Sequence, residues 1–104
     1  MHTGKPDTAK HATARRDGSR LMLEGTLTMD TVPSLMPAAR EACTQGGVDV
    51  IDFAGVTLLD SAAIALVLEL RRTRGAGLRL ENLPPAALNL ARLYSVADQL
   101  GIEA

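Results

Sequence analysis

With 104 residues, 46% of them hydrophobic and 22% charged, the chain has apolar material for one small core and too little length for a second domain. Eleven basic residues against twelve acidic ones leave a net charge of −1, and Phe53 and Tyr94 are the whole aromatic complement. Neither a strong positive field nor a base-stacking platform is present, which argues against a nucleic-acid partner. Cys43 is the single cysteine, so an intrachain disulfide and a cysteine-based zinc cluster are both excluded.

Met1 to Arg16 is cationic and polar, includes His2 and His11, and lacks the continuous apolar run of a secretory signal. Residues 1–18 therefore read as a flexible tail, and 19–104 as the folded domain. Nothing in the chain approaches the ~20 apolar residues of a bilayer span, so no direct membrane span is expected and a soluble, cytoplasmic protein is. Asp17-Gly18 signals a turn, after which Arg20–Glu24 reads as a first strand and Gly25–Met29 as a second, short extended piece.

Val32, Leu35, Met36, Ala39, Ala42 and Cys43 recur at helical spacing and gather on one face of a first helix. Cys43 on that stripe reads as a small buried hydrophobe. Pro33 suits a first turn, whereas Pro37 removes a donor and predicts a late start or a kink. Gly46-Gly47 stops the helix, and the β-branched and aromatic run Val48–Phe53 is a buried strand. A loop through Leu59 leads to Asp60 and Ser61, both good N-cap residues for the apolar helix from Ala62 to Leu70 that Arg71-Arg72-Thr73-Arg74-Gly75 terminates.

Leu78 and Leu80 alternate along a further strand, Leu78–Asn82. Pro84-Pro85 opens a helix to about Tyr94 lined by Leu83, Ala87, Leu90, Ala91 and Tyr94, and Val96–Leu100 can make a last short turn. The order β-β-α-β-α-β-α predicts an α/β sandwich, a small mixed sheet covered by helices.

Motifs for catalysis are lacking: no phosphate-cradling glycine loop, no metal-spaced histidines and no GxSxG elbow around Ser61. Asp49, Asp52 and Asp60 read as strand-end and capping carboxylates. No catalytic residue, metal ligand or cofactor is therefore assigned. The second helix, however, carries more apolar residues than one stripe needs: Ile64, Val67 and Leu68 on one side, with Ala62, Leu66 and Leu70 spreading to another. The excess reads equally as packing against neighbouring helices or as a partner patch beside Ser61. Arg71, Arg72, Arg74 and Arg79 around the far end suit the negative pole of the helix dipole, with a contact to an acidic partner or lipid headgroups at the inner membrane as the alternative.

Asp52, Val56, Asp60, Ser61 and the Leu-rich helix after them resemble the signature of STAS domains, over roughly residues 20–102. Within that family, Ile64–Leu70 and Leu90–Val96 look most like the MlaB type, the small cytoplasmic STAS subunit of the Mla phospholipid ABC transport system. The resemblance implies the STAS fold and a non-enzymatic adaptor for the transporter's ATPase subunit, held at the inner membrane through that complex. It implies a docking surface of Asp60, Ser61, Ala62, Ala63, Ala65, Leu66 and Glu69. In anti-sigma-factor antagonists of the same family the residue matching Ser61 is the phosphoacceptor for a partner kinase, which supplies the alternative function. The chain departs from the family at Ala62 and Ala63, where glycine is common. Two added methyl groups there predict poorer access of a kinase to Ser61.

Overall fold

The computed structural model describes residues 11–75 and 77–93. Strand β1 (Ala12–Asp17) turns through Gly18-Ser19 into β2 (Arg20–Leu27), helix α1 (Val32–Thr44) leads to β3 (Val50–Leu59), and α2 (Ser61–Arg74), β4 (Arg79–Glu81) and α3 (Pro85–Leu93) follow. The strands form one mixed sheet in the order β1-β2-β3-β4, with β1 antiparallel to β2 and the other two pairs parallel. This is the α/β sandwich expected from the sequence. No helix among the described residues is long and apolar enough to cross a membrane.

One face of the sheet carries the core. Leu21 and Leu23 on β2 and Ile51 and Phe53 on β3 share it, as strand alternation requires. The helices close it with Leu35, Ala39 and Cys43 from α1, Ala63, Leu66, Val67 and Leu70 from α2, and Ala91 from α3. The α1 face is the one its spacing predicts. Tyr94 and the turn expected over 96–100 lie outside the described residues.

Three elements differ from expectation. Residues 12–17, read above as tail, are strand β1, paired to β2 from Ala12↔Gly25 to Asp17↔Arg20. Ala12 and Ala14 alternate with Thr13 and Arg15 and turn their methyl groups toward the core, a small apolar face that suffices for an outer strand. The pieces Arg20–Glu24 and Gly25–Met29 are one strand, β2, with register irregularities near Met22/Glu24 and Gly25/Thr26. Gly25 permits this with φ +91°, and a Cβ there would stand 2.2 Å from the carbonyl oxygen of His11.

The third difference is length: β3 continues through the expected loop to Leu59, because Gly55, Val56, Leu58 and Leu59 keep pairing with β2. Helix α1 starts at Val32 with no delay and runs through Pro37. Pro37 lies on the exposed side, where water can serve the carbonyl its missing N–H leaves open.

At the end where β2, β3 and β4 begin, Asp52 ties the three parallel strands together. It is 7% exposed; its Oδ1 accepts from Asn82 Nδ2 at 2.9 Å and from the Ala54 N–H at 2.9 Å, and its Oδ2 from Arg20 at 3.0 Å. Arg20 reaches on to Glu81 at 2.6 Å. The Asn82 amide, the Ala54 N–H and the Arg20 guanidinium hold the Asp52 carboxyl below its ordinary value. A depressed carboxyl stabilises the fold above the unfolded-state value of about 3.9, and that contribution disappears as pH falls through the folded-state value. Asp52→Ala should cost about 1–3 kcal/mol at pH 7, and the gap to the parent should narrow below about pH 4 in denaturant unfolding. A gap unchanged by pH would contradict this role.

A chain lacking residues 1–17 loses β1 and uncovers the edge of β2. Its melting midpoint should fall by more than ~5 °C, on the order of 1 kcal/mol for a domain of this size, as followed by circular dichroism.

Candidate functional site

Parallel pairing brings the C-terminal ends of β2 and β3 to the same rim of the sheet, Leu27 beside Leu59. The chain leaves β2 into the turn 28–31 and leaves β3 into α2, so these connections meet. Asp60 joins them: its N–H donates to the Leu27 carbonyl at 3.0 Å, its Oδ1 accepts from the Ala62 N–H at 2.7 Å and its Oδ2 from the Met29 N–H at 3.2 Å. With φ −130° and ψ −165° it has the extended backbone of an N-cap, and its carboxylate also suits the positive pole of α2.

Thr31 fixes the other side of the turn. Its buried hydroxyl donates to the Thr26 carbonyl at 2.5 Å and accepts from the Thr28 N–H at 3.0 Å. The turn between them is thus anchored at both ends, and it holds Met29 outward at 73% exposure. Leu58, near the end of β3, is 58% exposed. With Leu93 of α3, at 73%, these are the large apolar side chains left exposed among the described residues, and Met29 and Leu58 both belong to the connections that meet at the start of α2.

The residues expected at the docking surface separate into two groups. Asp60 is the cap, Ser61 is the exposed first residue of α2, Ala62 is half-buried and Ala65 is exposed. Ala63 and Leu66, at 1% and 0% exposure, lie in the core and cannot meet a partner directly. The buried stripe is Ala63, Leu66, Val67 and Leu70 with Ile64, so the apolar excess of α2 is spent on the sheet and the neighbouring helices. Because Ala63 points inward, only the Ala62 methyl is left near the Ser61 surface.

Glu69 is also committed within the chain, accepting from Arg72 at 2.6 Å and from Arg40 of α1 at 3.2 Å. Those arginines, Arg72 foremost, keep its carboxyl below the ordinary range. At the far end of α2, Arg74 binds the Val48 carbonyl at 2.7 Å and Asp49 at 2.9 Å, and Arg71 donates to the Leu78 carbonyl. The arginine cluster therefore also bonds particular loop groups, beyond its general fit to the helix dipole.

Met29 and Leu58 were not singled out from the sequence. Their signal is an apolar residue at the polar end of a strand, in Thr28-Met29-Asp30 and Thr57-Leu58-Leu59-Asp60, where core periodicity does not demand one. Chemically the rim offers a hydroxyl, a capped helix start and apolar surface. No group of three or more His, Cys, Asp or Glu among the described residues is arranged to hold a metal. Burial raises the Cys43 thiol above its ordinary value and keeps it a poor nucleophile.

Capping by Asp60 changes what substitution should do. Asp60→Ala should cost about 0.5–2 kcal/mol in urea unfolding, whereas Ser61→Ala should stay within about 0.5 kcal/mol of the parent. The reverse order would return the cap to Ser61.

Two solved structures share this architecture. The Bacillus cell-fate determinant SpoIIAA in its phosphorylated form is 20% identical with a TM-score of 0.60, covering 86% of this chain and 87% of that one. The anti-sigma factor antagonist SpoIIAA in its unphosphorylated form is 18% identical with a TM-score of 0.63, covering 86% and 84%. At these identities the likeness is one of fold. No curated protein sequence matches the chain. The family model described as Mlab, STAS domain, matches residues 11–102, from the last residue before β1 to beyond α3, and the chain accordingly belongs to the STAS family in its MlaB-type branch.

Proposed function

We propose that the protein is a non-enzymatic adaptor that docks through the rim around Ser61 onto the cytoplasmic ATPase subunit of an Mla-type phospholipid ABC transporter. There it supports the assembly or activity of the complex that maintains outer-membrane lipid asymmetry. ATP hydrolysis belongs to the partner, and this chain contributes a surface with no cofactor. In this reading the protein is cytoplasmic and peripheral to the inner membrane through the complex. The observation that carries it is the exposure of Met29 and Leu58 in the two connections that meet at an anchored helix start, in a chain whose family branch is the MlaB type. Ser61 and Ala65 are small and exposed on the first turns of α2, allowing close approach of another protein's backbone or side chains.

A second reading is an anti-sigma-factor antagonist switched by a partner kinase at Ser61. The fold likeness to SpoIIAA and the exposure of Ser61 at the first position of α2 favour it, since a helix N-terminus accommodates a phosphate. The same phosphate would add ~1.5–2 negative charges beside Met29 and Leu58 and oppose an apolar contact.

Co-expression with the cognate ATPase should give a complex that survives size exclusion, and the isolated protein should hydrolyse no ATP. Met29→Asp and Leu58→Asp should each weaken that complex about tenfold or more, near 1.4 kcal/mol, with melting little changed. Leu66→Asp should instead unfold the domain, because it places a charge in the core. Absence of a complex, together with Ser61 phosphate in protein from native cells that releases a kinase, would replace the adaptor reading with the second one.

A further inference from the structure

Sheet edges expose backbone donors and acceptors that another strand can satisfy. The β4 edge is three residues long and ends at Asn82, whose φ of 59° turns the chain away. The β1 edge is six residues long. Its register identifies which groups have no backbone partner among the described residues. The Thr26 N–H donates to the His11 carbonyl at 2.8 Å, so in the antiparallel ladder His11, Thr13, Arg15 and Asp17 are the residues whose backbone faces β2. Ala12, Ala14 and Arg16 therefore direct their N–H and C=O groups outward, away from the sheet.

Charged side chains often guard such an edge, and β1 has two in succession, yet both are drawn back over their own fold. Arg15 reaches Glu24 at 3.9 Å and the Met22 sulfur at 3.7 Å. Arg16 donates to the Gly18 carbonyl at 2.9 Å and lies against Gly47, where any Cβ would come within 2.5 Å of its guanidinium. The outward edge between Ala12 and Arg16 is left flanked by methyl groups and a threonine.

We infer that β1 pairs antiparallel with β1 of a second copy about a two-fold axis at Ala14, joining two sheets into one of eight strands. That axis sets Ala14 against Ala14 of the other copy, Ala12 against Arg16, Thr13 against Arg15 and Asp17 against His11. The outward backbone groups of Ala12, Ala14 and Arg16 are then matched. No two like charges stand opposite, and the acid of each copy meets the imidazole of the other. Small residues at the axis let the backbones close to strand spacing. Registers two residues away put Arg15 opposite Arg15 or Thr13 opposite Thr13, losing either charge complementarity or length.

The contact is short, so the equilibrium is a weak, concentration-dependent one. Sedimentation equilibrium of the full chain should show a monomer–dimer transition below about 1 mM. Ala14→Pro removes only an outward N–H and should weaken the dimer at least tenfold with far-UV circular dichroism retained. Should that variant not fold, Ala12→Pro, at the tolerant first position of the strand, makes the same test. Ala14→Cys should form an intermolecular disulfide on mild oxidation, since facing residues at the axis stand about 5.5 Å apart at Cα. A chain monomeric through about 1 mM, a dimer indifferent to both proline variants, or failure of Ala14→Cys to cross-link would overturn the inference.

Discussion

Everything at the rim around Ser61 depends on the parallel pairing of β2 with β3. Parallel neighbours cannot be joined by a tight turn, so the chain must cross over the sheet, and α1 is that crossover. The same constraint sends both strands out at one rim, where the turn 28–31 and the start of α2 meet. Asp60 then converts proximity into a fixed joint, since one carboxylate serves an N–H from each connection. At the opposite rim Asp52 plays a comparable part across β2, β3 and β4 through Arg20 and Asn82. Two carboxylates that could suggest acid–base chemistry in the sequence are both occupied in holding backbone.

This arrangement separates fold from contact surface within a single helix. Ala63, Leu66, Val67 and Leu70 belong to the core, while Ser61 and Ala65 on the same helix face water. Changes at Ser61 can therefore alter the surface at little expense to stability, and changes at Leu66 cannot.

Much of this was legible in the sequence, and the exceptions have physical causes. Val48–Phe53 and the α1 stripe were readable because a run of β-branched residues suits a buried strand and a clean 3.6 period suits a helix laid on a core. Strand β1 was hidden because Ala and Asp are poor strand formers, so its alternation of Ala12 and Ala14 with Thr13 and Arg15 was masked by a polar composition. The later half of β3 was obscured by Ala54-Gly55, residues that usually mark a turn and here accompany irregular pairing with β2. Leu66 was misplaced because α2 is apolar on most sides, and only its neighbours reveal which side is covered. Of the two cap candidates the structure uses Asp60, a choice the sequence left open because adjacent Asp and Ser satisfy the same donors equally well.

Amide hydrogen exchange of the protein alone and with the ATPase proposed as its partner tests docking at the Ser61 rim most directly. New protection should be confined to residues 28–31 and 58–65, with α3 and the outward edge of β1 unchanged. Protection centred on α3 or on the sheet face away from the helices, with the Ser61 rim still exchanging freely, would contradict it.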